Sequence, residues 1–345
     1  MIKKKILILT DYKGHFGSKH FDIPYRSGMD KVLMKDLFNA KGFDTEFEQF
    51  SQVDIRNTAK YKNSIIIYTS SEDIGYHYKS YIEDVVFALS EIGANVVPSN
   101  KFMRANNNKV FMEFLRTSIL NDDKFYSRHF GSLKDLLPVI DKLEFPLVFK
   151  TAEGAAAAGV ALAKNKKELI SIIKKNKTYK YLIEDIKEYF RSWRHKGYKR
   201  ESIYRNKFIL QPFIPNLKND WKVLIFGNKY FVLNRGVREN DFRASGSKTN
   251  YKTDIDAAIP SGMLDYCMKI ISLLDVPHLS VDLMYDGNRF YLTEFQAIYF
   301  GTSTVNMSKN YFQLDGKTWN SFPISYNIEE LYVESIVNYI QRATI

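Results

Sequence analysis

Through its N-terminal third the chain alternates two kinds of segment, and this alternation restricts the fold more than any other feature of the sequence. "KILIL" (4–8) and "SIIIYT" (64–69) are short, nearly continuous apolar runs rich in β-branched residues, the pattern of strands buried on both faces. Between them "SGMDKVLMKDLFNAKG" (27–42) places apolar residues at helical spacing and ends on Gly42, a helix stop signal. "YIEDVVFALSEIGANVVPS" then reads as a helix ending near Gly93, followed by a third strand, Asn95–Pro98. Strands alternating with helices across tight loops predict a parallel sheet. After the first strand comes "DYKGHFGSKH" rather than G-x-G-x-x-G, so the dinucleotide fingerprint is absent.

Beyond residue 105 the pattern changes. Residues 106–213 hold the expected helices "NKVFMEFLRTSIL", "SLKDLLPVIDKL" and "KKELISIIKK" and the expected strands "PLVFKTA", "GVALAK" and "KFILQPF". Residues 214–345 are strand-rich, with "DWKVLIFG", "KYFVLNRGV", "LSVDLMYDG" and "NRFYLTEFQAI" before an amphipathic helix, "IEELYVESIVNYIQRA". The G-N and D-G-N turns in "FGNKYF" and "YDGNRFY" are hairpin signals. At 345 residues the chain exceeds one small core and fits about two to three domains. The expected division is 1–105, 106–213 and 214–345, in a mixed α/β (α+β) class.

Composition excludes several classes. Apolar runs fall short of the roughly 18–20 residues of a membrane span, and "MIKKKILILT" reads as a strand, not a signal peptide. A single cysteine, Cys267, leaves no internal disulfide and no thiolate zinc cluster; a reducing cytoplasm is the expected location. The net charge of +11 favours acidic partners, unless it is only a surface bias of scattered lysines. One stretch is locally concentrated: 187–207, "KEYFRSWRHKGYKRESIYRNK", has eight Lys/Arg against two Glu, interleaved with aromatics.

Within "EFPLVFKTAEGAAAAGVALAK" (144–164) Lys150 ends a strand and is followed by a run of small residues from Gly154 to Gly159. Small residues let a backbone approach a ligand closely, and exposed N–H groups in such a turn make an anion-binding concavity. A plain Ala-rich hairpin has the same pattern, so the loop alone decides nothing. Further along, "SVDLMYDGNRFYLTEFQAIYFG" sets Asp282 on one strand and Glu294 and Gln296 on the next. Residues two apart share a strand face, and a hairpin brings Asp282 across from them. Two carboxylates and an amide oxygen suit a hard cation, Mg²⁺ with substrate phosphates fitting best. Solvated strand-face polar residues are the alternative, although a carboxylate in so apolar a run needs a partner.

Together with Lys109 in "NNNKVFMEFLR", these features describe a nucleotide held between two lobes. The sequence here resembles the ATP-grasp enzymes, specifically the carboxylate–amine ligases related to the ligase that adds glutamate to ribosomal protein S6. The resemblance runs from about Lys109 to Thr302 through "NK", "FPLVFKTAEGAAAAGV", "LQPFI", "DWKVLIFGNKYFVLNRGV", "DFRASGS" and "VDLMYDGNRFYLTEFQ", in the family's order. It implies an N-terminal parallel α/β domain, a small lid domain (106–213) and an antiparallel-sheet core (214–345) with the metal site. It implies that Lys109 and Lys150 hold the ATP phosphates under a mobile loop, 153–160, including Glu153, Gly154, Ala155 and Gly159. Gln211 with the backbone of Phe213 and Ile214 would border the adenine, Asp220 would face the ribose, and Lys222 stands where the family usually has Arg. Arg235 and Arg243 would stabilise charge on the transferring phosphoryl group. Asp282, Glu294 and Gln296 would bind one or two Mg²⁺.

The implied reaction is ATP-dependent amide formation between a carboxylate and an amine through an acyl-phosphate, releasing ADP and phosphate. A small-molecule kinase and a non-enzymatic nucleotide- or nucleic-acid-binding protein of the same fold are the alternatives. The expected partners are ATP and the two substrates, with no membrane and no nucleic acid, and a homodimer is the candidate assembly. The family's last metal ligand is normally Asn where this chain has Gln296, one methylene longer, and the phosphate loop is richer in Ala than its relatives. Substrate selection is expected at the loops holding His15, His20, Ser70 and Ser71, which follow strand ends, if these are more than ordinary loop polar residues. The 187–207 stretch is either a holder of an acidic acceptor (a peptide, a uronic-acid saccharide of a surface polysaccharide, a nucleotide-linked sugar) or a solvated amphipathic helix.

Overall fold

Each apolar run of the N-terminal third becomes a strand of one parallel sheet. A computed structural model describes residues 4–17, 27–71, 73–120, 125–154, 159–176, 182–217, 219–236, 251–253 and 258–342. Strands β1 (Lys4–Thr10), β2 (Phe43–Gln49), β3 (Ile65–Ile67) and β4 (Asn95–Val97) lie in the order β2-β1-β3-β4, all parallel. The helix Lys31–Ala40 starts where Asp30 accepts hydrogen bonds from the N–H groups of Val32 and Leu33, an N-cap of the usual kind. Strand β2, "FDTEFEQ", has no apolar run; it forms at the sheet edge, where Lys5 pairs with Glu46 at 2.8 Å.

Four antiparallel strands follow: β5 (Arg128–Phe130), β6 (Leu147–Thr151), β7 (Val160–Ala163) and β8 (Phe208–Pro212), in the order β5-β8-β6-β7. Leu147, Phe149, Leu169, Ile173, Phe208 and Leu210 make their core. "SLKDLLPVIDKL" is not one helix as expected. It divides into a single α-turn, Leu133–Leu136, and a 3₁₀ segment, Leu137–Lys142, because Pro138 brings no N–H to an α-helical ladder.

The remaining strands are β9 (Asn219–Phe226), β10 (Lys229–Gly236), β11 (Lys252–Thr253), β12 (His278–Tyr285), β13 (Phe290–Gln296), β14 (Asn310–Asp315) and β15 (Thr318–Pro323). Their antiparallel sheet runs β13-β12-β9-β10-β14-β15, with β11 against β10. Gly227–Asn228 closes the tight β9–β10 turn, and Asp286 caps the β12–β13 turn by accepting from the N–H groups of Asn288 and Arg289.

Residues 1–106 and 217–345 form one compact unit and 107–216 a second. In the larger unit one hydrophobic cluster joins both sheets. Ile6 and Ile8 of β1 and Met34 and Phe38 of the first helix pack with Leu224, Phe226 and Phe231 and with Leu331, Ile336 and Ile340 of the helix Ile328–Arg342. Glu329 of that helix, fully buried, accepts the Asp30 N–H at 2.8 Å.

Candidate functional site

Lys109 opens the helix Lys109–Leu120 and is buried; its N–H donates to the Ala152 carbonyl at 2.8 Å and its Nζ to the Gly154 carbonyl at 2.7 Å. The ammonium therefore sits at the mouth of the small-residue turn. Lys150 lies on β6 opposite Val160 of β7 and Ile209 of β8. Across the turn the Thr151 N–H donates to the Gly159 carbonyl at 3.0 Å, and Thr151 Oγ1 donates to the Glu153 carbonyl at 2.6 Å. Gly159 has φ +75°, and a Cβ there would lie 2.1 Å from Thr151 Oγ1, so only glycine closes this turn without displacement. Gly154 is also left-handed, at φ +116°. The Glu153 carboxylate is 3.8 Å from Lys207 Nζ. Ala155 and the rest of 155–158 lie outside the described residues.

Gln211 is on β8, buried, and its amide donates to Glu113 Oε1 at 3.0 Å. The other Glu113 oxygen takes two hydrogen bonds from Arg116, at 2.9 and 2.7 Å, and Arg116 also donates to the Phe125 carbonyl at 2.7 Å. Phe213 and Ile214 follow directly on β8, with Ile214 buried. The buried Glu113–Arg116 pair was not anticipated from sequence. Its signal is the spacing of Lys109, Glu113 and Arg116, which puts all three on one side of one helix.

In the larger unit the candidate residues converge on one sheet face. Strand pairing places Asp220 opposite Arg235, Lys222 opposite Asp282, and Asp282 opposite Glu294. Arg235 Nε donates to Asp220 Oδ1 at 2.5 Å, and Arg235 Nη2 lies 3.2 Å from Asp282 Oδ1. Lys222 Nζ donates to Ser280 Oγ at 2.8 Å and lies 3.5 Å from Asp282 Oδ1. Two cations thus flank one carboxylate. Burial pushes Asp220 up to about 6, against the pull of Arg235. Burial also opposes ionisation of Asp282, but Arg235 and then Lys222 outweigh it and hold that carboxyl below the usual range. For Arg235 the cost of burial is likewise overcome by Asp282 and Asp220, which keep the guanidinium charged. Arg243 and His20 lie outside the described residues. Asp220, which the resemblance turns toward a ribose, is taken by Arg235 here.

Glu294 and Gln296 lie two apart on β13, with Gln296 Nε2 3.4 Å from Glu294 Oε1, and the β12–β13 register shifts just after Asp282. Among the described residues no three His, Cys, Asp or Glu side chains group as a metal site; besides Asp220, which Arg235 occupies, this face offers the carboxylates of Asp282 and Glu294 and the Gln296 amide. Asp282 Oδ1 is buried and is engaged by Arg235 Nη2 at 3.2 Å and Lys222 Nζ at 3.5 Å, so a cation bound there would share that oxygen with both side chains. The hard oxygen donors of Asp282, Glu294 and Gln296 are of the type that suits Mg²⁺.

A parallel sheet followed by two antiparallel ones is the architecture of the ATP-grasp fold, and solved structures share it over nearly the whole chain. A RimK domain protein ATP-grasp from Sphaerobacter thermophilus DSM 20745 superposes with TM-score 0.51 at 13% identity, covering 96% of this chain and 98% of that one. An N5-carboxyaminoimidazole synthetase from Staphylococcus aureus, complexed with ADP, gives 0.55 at 12% identity, over 97% and 78%. A D-alanine–D-alanine ligase from Bacillus anthracis gives 0.53 at 13% identity, over 99% and 98%. Within that fold the chain belongs to the RimK-like ATP-grasp domain family, whose model matches residues 106–310. Comparison with curated proteins found no significant match.

Proposed function

We propose that this protein is an ATP-dependent ligase that joins a carboxylate to an amine. The observation that carries the reading is the charged face of β9, β10, β12 and β13. There Asp282 lies beside Glu294 and Gln296 and is ion-paired with Arg235 and Lys222. That is a donor set for a cation with guanidinium and ammonium groups for phosphate oxygens.

In this reading Lys109 and Lys150 bind ATP phosphate oxygens, the 153–160 turn covers them, and Gln211, Phe213 and Ile214 border the base. Asp282, Glu294 and Gln296 hold Mg²⁺, whose contribution is to neutralise phosphate charge. A substrate carboxylate oxygen attacks the γ-phosphorus, the bond to ADP breaks, and an acyl-phosphate forms. The amine nitrogen then attacks the acyl carbon, loses a proton, and phosphate leaves. Arg235, with Arg243, stabilises the charge that spreads over the transferring phosphoryl oxygens, a task of positioning and electrostatics. Asp220 keeps Arg235 aimed and charged; a ribose contact by Asp220 would require that bond to open.

The test is ADP release with Mg²⁺ against panels of carboxylates and amines, with Glu294→Ala as control. Turnover that needs both partners and is lost in the variant is expected. ADP release requiring a single acceptor would make the protein a kinase, and release unchanged by Glu294→Ala would refute the assigned site.

A further inference from the structure

The helix Leu182–Arg194 is built inside out. Ile183, Ile186, Phe190 and Trp193 recur at intervals of three and four, so they share one helix face, and Tyr189 borders it. All five are exposed, from 50% for Ile186 to 84% for Trp193. The side turned toward the protein is polar. Asp185 accepts from Arg205 Nη2 at 3.1 Å. Glu188, buried, accepts from Tyr198 Oη at 2.6 Å, Arg191 Nη1 at 2.7 Å and the Glu201 N–H at 3.1 Å. These bonds, the Tyr198 hydroxyl first, hold the Glu188 carboxyl down at about 2, so the anchor is ionised at neutral pH. The helix Lys166–Lys175 of the same unit shows the ordinary arrangement, burying Leu169 and Ile173 and turning its lysines outward. Water is a poor neighbour for an apolar stripe of this size.

Charge on the helix identifies what covers that stripe. Its acids are occupied: Glu188 and Asp185 point inward, Glu184 is paired with Lys187 at 2.7 Å, and Glu201 just beyond it is paired with Arg205 at 2.7 Å. Arg194, Lys196, Lys199 and Arg200 remain on the exposed side of residues 194–200. A convex stripe of Ile, Phe and Trp with cations beside it matches acyl chains bordered by anionic headgroups. A nucleic acid would use the cations but has no place for Ile183 and Ile186. We propose that this helix docks in the interface of an anionic phospholipid bilayer, seating Ile183, Ile186, Phe190 and Trp193 among the acyl chains and Arg194, Lys196 and Lys199 on the headgroups. The expectation of no membrane partner rests on the lack of a spanning segment. Among the described residues no helix is long and apolar enough to cross a membrane, and lying on a bilayer does not require one.

The test uses the full chain and flotation with vesicles of phosphatidylcholine, alone or with about one part in three phosphatidylglycerol. Binding only to the anionic vesicles is expected, released in about 0.5 M salt, with a blue shift of tryptophan emission as Trp193 leaves water. Phe190→Ser with Trp193→Ser lowers partitioning at least about tenfold. Lys196→Glu with Lys199→Glu lowers it several-fold and blunts the salt response, and keeps the proposal testable should the apolar variant fail to fold. Absence of binding to anionic vesicles overturns the proposal, as does equal binding to neutral ones or wild-type binding by the Phe190/Trp193 variant. Self-association in solution that the same variant abolishes overturns it in favour of a second copy, and salt-sensitive nucleic-acid binding without vesicle binding overturns it in favour of that ligand.

Discussion

Acidification should weaken the larger unit through one side chain, His278. It lies on β12 with no exposed surface, its ring 4.6 Å from that of Tyr332 and near Phe226 and Phe300. Burial in this aromatic pocket drives its pKa from 6.5 down to about 3. Because the folded value lies below the unfolded one, the unfolded chain binds a proton between those limits and the folded chain does not. Stability is therefore complete above about pH 6.5 and is lost as pH falls toward 3. At about 1.4 kcal/mol per pH unit, His278 costs about 2 kcal/mol by pH 5 and about 5 kcal/mol over the whole window. The assay is urea unfolding of wild type and His278→Phe at about pH 7 and about pH 5, followed by fluorescence of the buried Trp221. The aromatic replacement keeps the packing and removes the titration, so its loss of stability between the two pH values should be smaller than that of wild type by about 2 kcal/mol. Equal losses in the two proteins would refute the buried-neutral histidine.

The smaller unit offers two sharper perturbations. Arg116→Met leaves Glu113 charged and buried without its guanidinium and should cost about 3–5 kcal/mol, read as a lowered unfolding midpoint. Adding Glu113→Gln should restore part of that loss, since the orphaned charge goes with it. Gly159→Ala places a methyl group against Thr151 Oγ1 at a left-handed φ and should cost more than about 1 kcal/mol; a neutral effect on the melting temperature would show that the turn closes differently.

What was legible in the sequence follows from how locally each element is determined. "KILIL", "KKELISIIKK" and the "FGNKYF" hairpin carry their own periodicity or turn chemistry, and the structure has them at Lys4–Thr10, Lys166–Lys175 and the β9–β10 turn. Strand β2 was not legible, because an edge strand with alternating charges has no apolar run to announce it and is specified by its neighbour β1. The helix Met263–Leu274 and the β14–β15 hairpin are further elements of the structure, and Asp315–Gly316 carries a turn signal of the same type as the others. In the site, spacing on β13 correctly predicted a shared face for Glu294 and Gln296, and pairing brings Asp282 beside them. The resemblance names the cations Lys222 and Arg235 but says nothing of their pairing with Asp282. That Lys222 and Arg235 both reach Asp282 depends on the order β12-β9-β10, a long-range property that no window of sequence contains. The inverted helix was visible as a basic aromatic stretch, but which of its faces meets the protein is decided by Tyr198, Glu201 and Arg205 beyond its end.

The discontinuity of the larger unit carries a consequence for biosynthesis. Its core begins with Ile6 and Ile8 and is completed by Leu331, Ile336 and Ile340, so the first hundred or so residues emerge from a ribosome without the helix that covers them. At about 5–20 residues per second that interval lasts tens of seconds, during which Met34, Phe38 and the edges of the parallel sheet stay open to solvent. Residues 107–216, continuous in sequence, have a core of their own whose residues have all been synthesised before that helix appears. The unit that starts first is therefore the one that finishes last, and its nascent form is the stage at which a chaperone would find the most to hold.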